Sequence, residues 1–213
     1  MNILPYSEVA PTLKTGDIVL FGGKYDISKE IEWFEKSRWS HVGMVVRIPG
    51  IEAPVLWEST DLDNLEDVEF HDRISGPKLV YLHDRIANYN GSAYAVRHLE
   101  VERTPQMTDP LFEFVFEAHG LPDPGAWKML IEFLEGRILK KCAKLDNYFC
   151  SELVAETYIK MGLLSNEIPP NAYMPKDFSS DGKINLVKGT LSEEIFIEIE
   201  SPPKVVSSTC CKY

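Results

Sequence analysis

The stretch SHVGMVVRI, residues 40–48, is rich in β-branched residues and predicts a β-strand. The next six residues, PGIEAP (49–54), contain two prolines and a glycine, which are typical of a turn. VLWES (55–59) then resumes the apolar pattern. We therefore predict a β-hairpin that places residues 40–48 beside residues 55–59.

Short strands and separate helices are predicted on both sides of this hairpin. Because they do not alternate as βαβ units, the pattern predicts an α+β fold and not a doubly wound parallel sheet. The last two strands are expected to pair with each other in antiparallel fashion. The strands are predicted at TGDIVLF (15–21), KLVYL (78–82), YAVRHLEV (94–101), INLVKG (184–189) and EIFIEIE (194–200), and the helices at 26–37, 109–120, 123–144 and 151–162.

Length and charge limit the possible functions. The chain has 213 residues, of which 44% are hydrophobic, and this suits one domain over residues 1–200 followed by a mobile tail at 201–213. The net charge of −11 argues against nucleic acid as a partner. No apolar run approaches 18 residues, so we expect no membrane-spanning segment. The start of the chain lacks the features of a signal peptide, which favours a cytoplasmic location. The sequence does not indicate whether the protein is a monomer or an oligomer.

The sequence motifs do not indicate a metal site or a nucleotide site. The chain contains no glycine-rich phosphate loop. Its cysteines do not form the paired patterns of a zinc site, so we expect no bound metal and no cofactor. These cysteines are Cys142, Cys150, Cys210 and Cys211.

Cys150 stands apart because it directly precedes the predicted helix SELVAETYIKMG (151–162). Unpaired backbone N–H groups and the macrodipole at a helix N-terminus favour a thiolate, which is the nucleophilic form of cysteine. The same N–H groups can stabilise an oxyanion. A small buried structural cysteine is the alternative interpretation of this position.

His41 and Glu58 lie on the two strands of the hairpin. His41 opens its strand, and Gly43 two residues later leaves that face of the strand uncrowded. Glu58 ends the returning strand, where a carboxylate can orient an imidazole. Each residue alone also suits an ordinary strand histidine or a solvent-facing glutamate. Together with Cys150 they predict a Cys–His–carboxylate relay.

Four ordered motifs carry a family resemblance. GDIVLF (16–21), WSHVGMVV (39–46), LWEST (56–60) and YFCSELVAETY (148–158) resemble the circularly permuted branch of the NlpC/P60 superfamily. That branch is the YaeF/YiiX-like group, which is related to lecithin:retinol acyltransferase-like enzymes. The order His, Glu, Cys matches the permuted branch, and YMPKDFSSDGKINL (173–186) resembles a segment that follows its cysteine helix.

The resemblance implies a papain-like fold, with a small antiparallel β-barrel or sheet packed on the cysteine helix. It implies Cys150 as the nucleophile, His41 as general base and acid, and Glu58 as the residue that orients His41. Many members place a tyrosine near the nucleophile, and Tyr148 is the candidate for that substrate-binding or oxyanion role.

The predicted function is that of a cysteine-dependent hydrolase or acyltransferase that forms a covalent acyl-enzyme. The expected substrate is an amide or ester with an apolar component, such as a lipid. The aromatic segments EWFEKSRW (32–39) and LFEFVFEA (111–118) are candidates to line its pocket, but aromatic residues at helical spacing more often belong to the core. A cell-wall-type or other small peptide is the alternative substrate. Two alternatives do not involve a cysteine-dependent enzyme. One is a non-catalytic module that binds an acyl group or a peptide, and the other is a metal or redox protein.

Overall fold

A seven-stranded sheet organises the computed structural model, which describes residues 2–23, 38–121, 149–182 and 184–199. The strand order in this sheet is β1-β9-β6-β2-β3-β4-β5. β1 runs parallel to β9, and the other neighbouring pairs are antiparallel. β7 and β8 form a separate antiparallel pair. The strands are β1 (Asn2–Pro5), β2 (Ile18–Gly23), β3 (His41–Val46), β4 (Val55–Thr60), β5 (Gly76–Tyr81), β6 (Gly91–Arg97), β7 (Leu99–Glu100), β8 (Thr190–Leu191) and β9 (Ile195–Glu198).

Helices cover both faces of this sheet. One face packs against α3 and α4, and the other face packs against residues of α1 and α2. The described part of the chain is therefore an α+β structure, as the sequence predicted. The helices are α1 (Tyr6–Val9), α2 (Leu82–Asn88), α3 (Pro105–Ala118) and α4 (Cys150–Lys160), with short 3₁₀ turns at Ala10–Thr12, Pro170–Ala172 and Pro175–Phe178.

The predicted hairpin is formed by β3 and β4. Met44 pairs with Trp57, and Val45 pairs with Leu56. Because side chains alternate along a strand, Met44 and Trp57 enter the core under α3 and α4, whereas Val45 and Leu56 enter the core on the other face. A Cβ atom at Gly43 would lie 2.7 Å from Cδ1 of Leu56, so glycine is needed there for Leu56 to pack. The hairpin is thus buried on both faces.

Helix α4 is held firmly at both ends and along its length. Gly162, with φ of +70°, ends the helix, and its N–H donates to the carbonyl of Ile159 at 2.9 Å. The hydroxyl of Tyr158 donates to the carbonyl of Gly16 at 2.6 Å. At the other end, the hydroxyl of Ser151 donates to the carbonyl of Tyr173 at 2.8 Å. These bonds fix the first residue of α4, Cys150, relative to the sheet.

The acidic segment between β4 and β5 is an ordered loop centred on Asp67. This carboxylate is 1% exposed and accepts hydrogen bonds from the backbone N–H groups of Glu69, Phe70 and Leu79. The Val68 N–H donates to the carbonyl of Leu79 at 2.8 Å, so the loop covers the outer edge of β5. An edge covered in this way is protected from pairing with another chain.

Two predictions of secondary structure need correction. Residues 184–189 form no strand, and β9 pairs with β1 and β6 instead of with that segment. Helix α3 begins at Pro105, four residues before the predicted start, because proline suits the first turn of a helix. Within 111–118, Phe114 is 2% exposed and belongs to the core, whereas Phe116 is 59% exposed.

Several predictions fall outside the residues that the structure describes. These are the helices at 26–37 and 123–144, nearly all of the segment EWFEKSRW, and the tail at 201–213. Among the described residues, no helix is long and apolar enough to cross a bilayer.

Candidate active site

Cys150 is the first residue of α4 and is partly exposed. Phe149 before it has an extended backbone, and its N–H donates to the Glu152 carboxylate at 3.4 Å. Such a bond from the third residue of a helix back to its start stabilises the N-terminus. Cys150 thus lies at the positive end of the helix dipole, where negative charge is favoured.

His41 is the first residue of β3 and connects Cys150 to Glu58. Its ring Nε2–H donates to Oε2 of Glu58 at 2.8 Å, and the Cys150 side chain lies close enough to the same ring to raise the pKa of His41. Because Nε2 is engaged by Glu58, Nδ1 is the nitrogen that remains for Cys150. The order of the contacts is therefore Cys150, His41, Glu58.

The protonation of His41 follows from these contacts. Burial of the ring lowers its pKa, but the hydrogen bonds and charges of Cys150 and Glu58 outweigh burial and raise the pKa to about 9. The imidazolium is therefore the main form of His41 at neutral pH. An imidazolium beside a thiol favours the thiolate.

Glu58 is completely buried between positive groups. Burial alone would raise the pKa of its carboxyl, but the charge of Arg85 and the hydrogen bond to His41 hold that pKa below the ordinary value. The Arg85 Nε–H donates to Oε1 of Glu58 at 2.6 Å, while Oε2 accepts from His41. Lys78 lies directly opposite Glu58 on β5 and is also buried. Glu58 is thus an ionised carboxylate that uses both of its oxygens.

Two aromatic rings pack against the imidazole ring of His41. The ring of Tyr89 stacks on the imidazole at a centroid distance of 5.8 Å and an angle of 25°, and Phe21 lies at 5.2 Å. The Tyr89 hydroxyl is 3.2 Å from the hydroxyl of Ser40, the residue before His41. Aromatic faces attract a cation, so this stack also favours the imidazolium.

The three main candidates from the sequence, Cys150, His41 and Glu58, are therefore brought together. The fourth, Tyr148, lies outside the described residues. Sequence reasoning missed Arg85 and Tyr89 as neighbours of this group. A signal for Arg85 was present, because it falls between Leu82 and Ile86 on the apolar face of a short helix. A charged residue at such a position needs a buried partner.

The other histidines are engaged elsewhere. His98 contacts Oδ2 of the buried Asp17 through Nδ1 at 2.8 Å. His119 is half-buried, with Nε2 3.1 Å from Asp72 and its ring on Phe70. No group of three or more His, Cys, Asp or Glu residues suited to a metal ion occurs in the part of the chain that the structure describes.

Comparisons with known proteins give a likeness among solved structures. No protein-family model matches the chain, and no curated protein matches it. Among solved structures, it is similar to the crystal structure of the metalloprotein yiiX from Escherichia coli O157:H7. The two chains are 20% identical over 89% of this chain and 98% of that one, with a TM-score of 0.48. The similarity is to a YiiX-like protein, whereas the papain-like fold and its circular permutation stay predictions.

Proposed function

We propose that this protein is a cysteine-dependent hydrolase or acyltransferase. The observation that carries the proposal is the adjacency of Cys150, His41 and Glu58, with His41 next to Cys150 and hydrogen-bonded to Glu58 at 2.8 Å. A nucleophile, a base in contact with it and a third group that orients the base are the parts of a catalytic triad. The proposal does not depend on the structural likeness to yiiX.

In the first half of the reaction, the Cys150 thiolate attacks the carbonyl carbon of an amide or ester. The carbonyl π electrons move to oxygen, and the backbone N–H groups at the start of α4 stabilise this oxyanion. The oxyanion then collapses, the bond to the leaving group breaks, and His41 gives its proton to the departing nitrogen or oxygen. The products are a Cys150 thioester, a neutral His41 and the released amine or alcohol.

In the second half, neutral His41 takes a proton from water or from an acceptor alcohol or amine. The deprotonated oxygen or nitrogen attacks the thioester, and the C–S bond breaks to regenerate the thiolate beside the imidazolium. Water gives hydrolysis, and an alcohol or amine gives acyl transfer. Both outcomes use the same three side chains.

For the substrate we propose an acyl compound with an apolar component. The support is the half-buried Tyr89, whose ring lies against His41 and adds apolar surface beside the reacting groups. Short acyl esters, phospholipids and cell-wall peptides are the substrate classes to compare. A preference for the peptides would replace the acyl substrate with the peptide alternative and leave the triad in place.

The test is acylation of Cys150 by activated acyl esters such as p-nitrophenyl esters. The wild-type protein should release about one equivalent of p-nitrophenol in a burst and gain one acyl group in its intact mass, mapped to Cys150. Cys150→Ser should form no thioester and show no turnover, whereas the control Cys210→Ser should behave like the wild type. A well-folded wild-type protein that is never acylated at Cys150 would contradict the proposal and favour a binding module.

A further inference from the structure

Arg85 is a buried arginine whose head group contacts Glu58. Its side chain is 1% exposed, and both Nε and Nη2 lie close to Oε1 of Glu58, at 2.6 and 2.5 Å. The Nη1 group donates to Oδ1 of Asn64 at 3.2 Å. A buried guanidinium is stable only with a carboxylate in good geometry, so Arg85 and Glu58 depend on each other.

The two oxygens of Glu58 are divided between two partners. Arg85 holds Oε1, and His41 holds Oε2. Because a carboxylate is planar, a planar guanidinium fixed on one oxygen limits rotation of the group and sets the direction of the other. The orientation of the His41 ring therefore depends on Arg85 through Glu58.

The other charged groups near Glu58 come from β5 and from the loop before it. Lys78, opposite Glu58, donates from its ammonium group to the carbonyls of Leu62 and Ile74 in that loop. The charge of Lys78 is attracted first to Glu58, is repelled by Arg85, and is attracted more weakly to Asp63 and Asp67. Lys78 thus closes the loop, while Arg85 makes the direct hydrogen bond to the carboxylate.

We propose that Arg85 is a positioning residue for the reaction of Cys150: it keeps the Glu58 carboxylate ionised and oriented so that this carboxylate holds the His41 ring. The inference rests on the proposed function in taking Cys150 as the reacting group. It adds a fourth member, on α2, to the series Cys150, His41, Glu58.

The test is the pH dependence of Cys150 alkylation by iodoacetamide, mapped by mass spectrometry, in Arg85→Gln. Without the guanidinium, the buried Glu58 carboxylate takes up a proton at higher pH. Stabilisation of the His41 imidazolium is then lost, and the acid limb of the alkylation profile should move up by about 1 pH unit or more. At pH values below the wild-type acid limb, this corresponds to alkylation that is roughly tenfold slower. Arg85→Lys keeps the charge without the fork and should give a smaller shift.

A double variant separates action through Glu58 from general damage. Adding Arg85→Gln to Glu58→Gln should not move the acid limb further up, because Arg85 has no carboxylate to act on in that background and removal of its unpaired charge favours the His41 imidazolium. The control is Arg103→Gln, which breaks the 2.8 Å contact of Arg103 with the buried Asp17, near the other end of β3. It should leave the acid limb of Cys150 alkylation unchanged.

Three results would overturn the inference: an unmoved acid limb in Arg85→Gln, an equal shift in Arg103→Gln, or a further upward shift when Arg85→Gln is added to Glu58→Gln. If Arg85→Gln does not fold, the Lys variant and the double variant decide the question. Alkylation needs no acyl substrate, so absence of acylation in the wild type would reject the proposed function while leaving the role of Arg85 open to this test.

Discussion

Replacement of Glu58 by glutamine tests what the charge of this carboxylate does in the site. Glutamine has almost the shape of glutamate but no charge, and Glu58 is 0% exposed between His41 and Arg85. The substitution therefore removes the charge of the carboxylate and keeps the packing. Two separate quantities should change, namely the pKa of His41 and the free energy of unfolding.

The change in the pKa of His41 follows from the contacts of the ring. A pKa of about 9 lies well above the ordinary value of 6.5, which corresponds to a preference for the imidazolium of roughly 3 kcal/mol. Glu58→Gln removes the carboxylate's contribution and leaves burial, which lowers the pKa, opposed by Cys150. The pKa of His41 should fall by about 1 to 3 pH units, as expected for loss of an adjacent opposite charge.

The change in the free energy of unfolding follows from Arg85, which loses its carboxylate partner. Arg85 is 1% exposed, and in Glu58→Gln its charge has no carboxylate at Oε1. Breaking a buried ion pair from one side costs about 3 to 5 kcal/mol. Urea unfolding should show a loss of this size in Glu58→Gln and a smaller loss when Arg85→Gln is added, since no buried charge then remains unpaired.

The assay for the first quantity is a pH titration of the histidine side-chain ¹⁵N resonances by NMR, with His41 assigned by its absence in His41→Gln. The control is Glu66→Gln, which breaks a surface contact of 3.6 Å between Glu66 and His71. It should leave the pKa of His41 unchanged and alter stability by less than about 1 kcal/mol. The reasoning fails if wild-type His41 titrates at or below 6.5, or if Glu58→Gln leaves its pKa unchanged.

Three further substitutions test the surroundings of the site. Gly43→Val should destabilise the fold by about 1 to 3 kcal/mol in urea unfolding, because the new side chain overlaps Leu56. Asp67→Ala should cost about 2 to 4 kcal/mol and speed the hydrogen exchange of the amides that its carboxylate accepts, since three backbone N–H groups lose their acceptor. Tyr89→Leu should lower the pKa of His41 by about 0.5 to 1 in the same NMR titration, whereas Tyr89→Phe, which keeps the stacked ring, should not. Unchanged values in any of these variants would contradict the corresponding contact.

The parts of the structure with local signals were predictable from the sequence. The hairpin was marked by β-branched residues on both sides of a turn, and the end of α4 was marked by Gly162. The approach of His41 to Glu58 followed from the hairpin, because residues on paired strands are neighbours. The position of Cys150 at a helix start was also a local feature.

The remaining features depend on contacts between distant segments. The parallel pairing of β1 with β9 joins residues near opposite ends of the described chain, and alternation within a strand does not identify a partner. This is why the segment at 184–189 was wrongly paired with 194–200 in the prediction. The contact of Arg85 with Glu58 spans 27 residues and requires α2, for which no helix was predicted.

The central claim is that His41 activates Cys150, and the rate of Cys150 alkylation at pH 6 tests it most directly. A cysteine with the ordinary pKa of 8.5 is only about 0.3% thiolate at that pH. Paired with the His41 imidazolium, Cys150 in the folded wild-type protein should react at least about tenfold faster than Cys150 in a folded His41→Ala variant. His98→Ala, which removes a histidine bound to Asp17, should react like the wild type. Equal rates in the wild type and His41→Ala would contradict the claim.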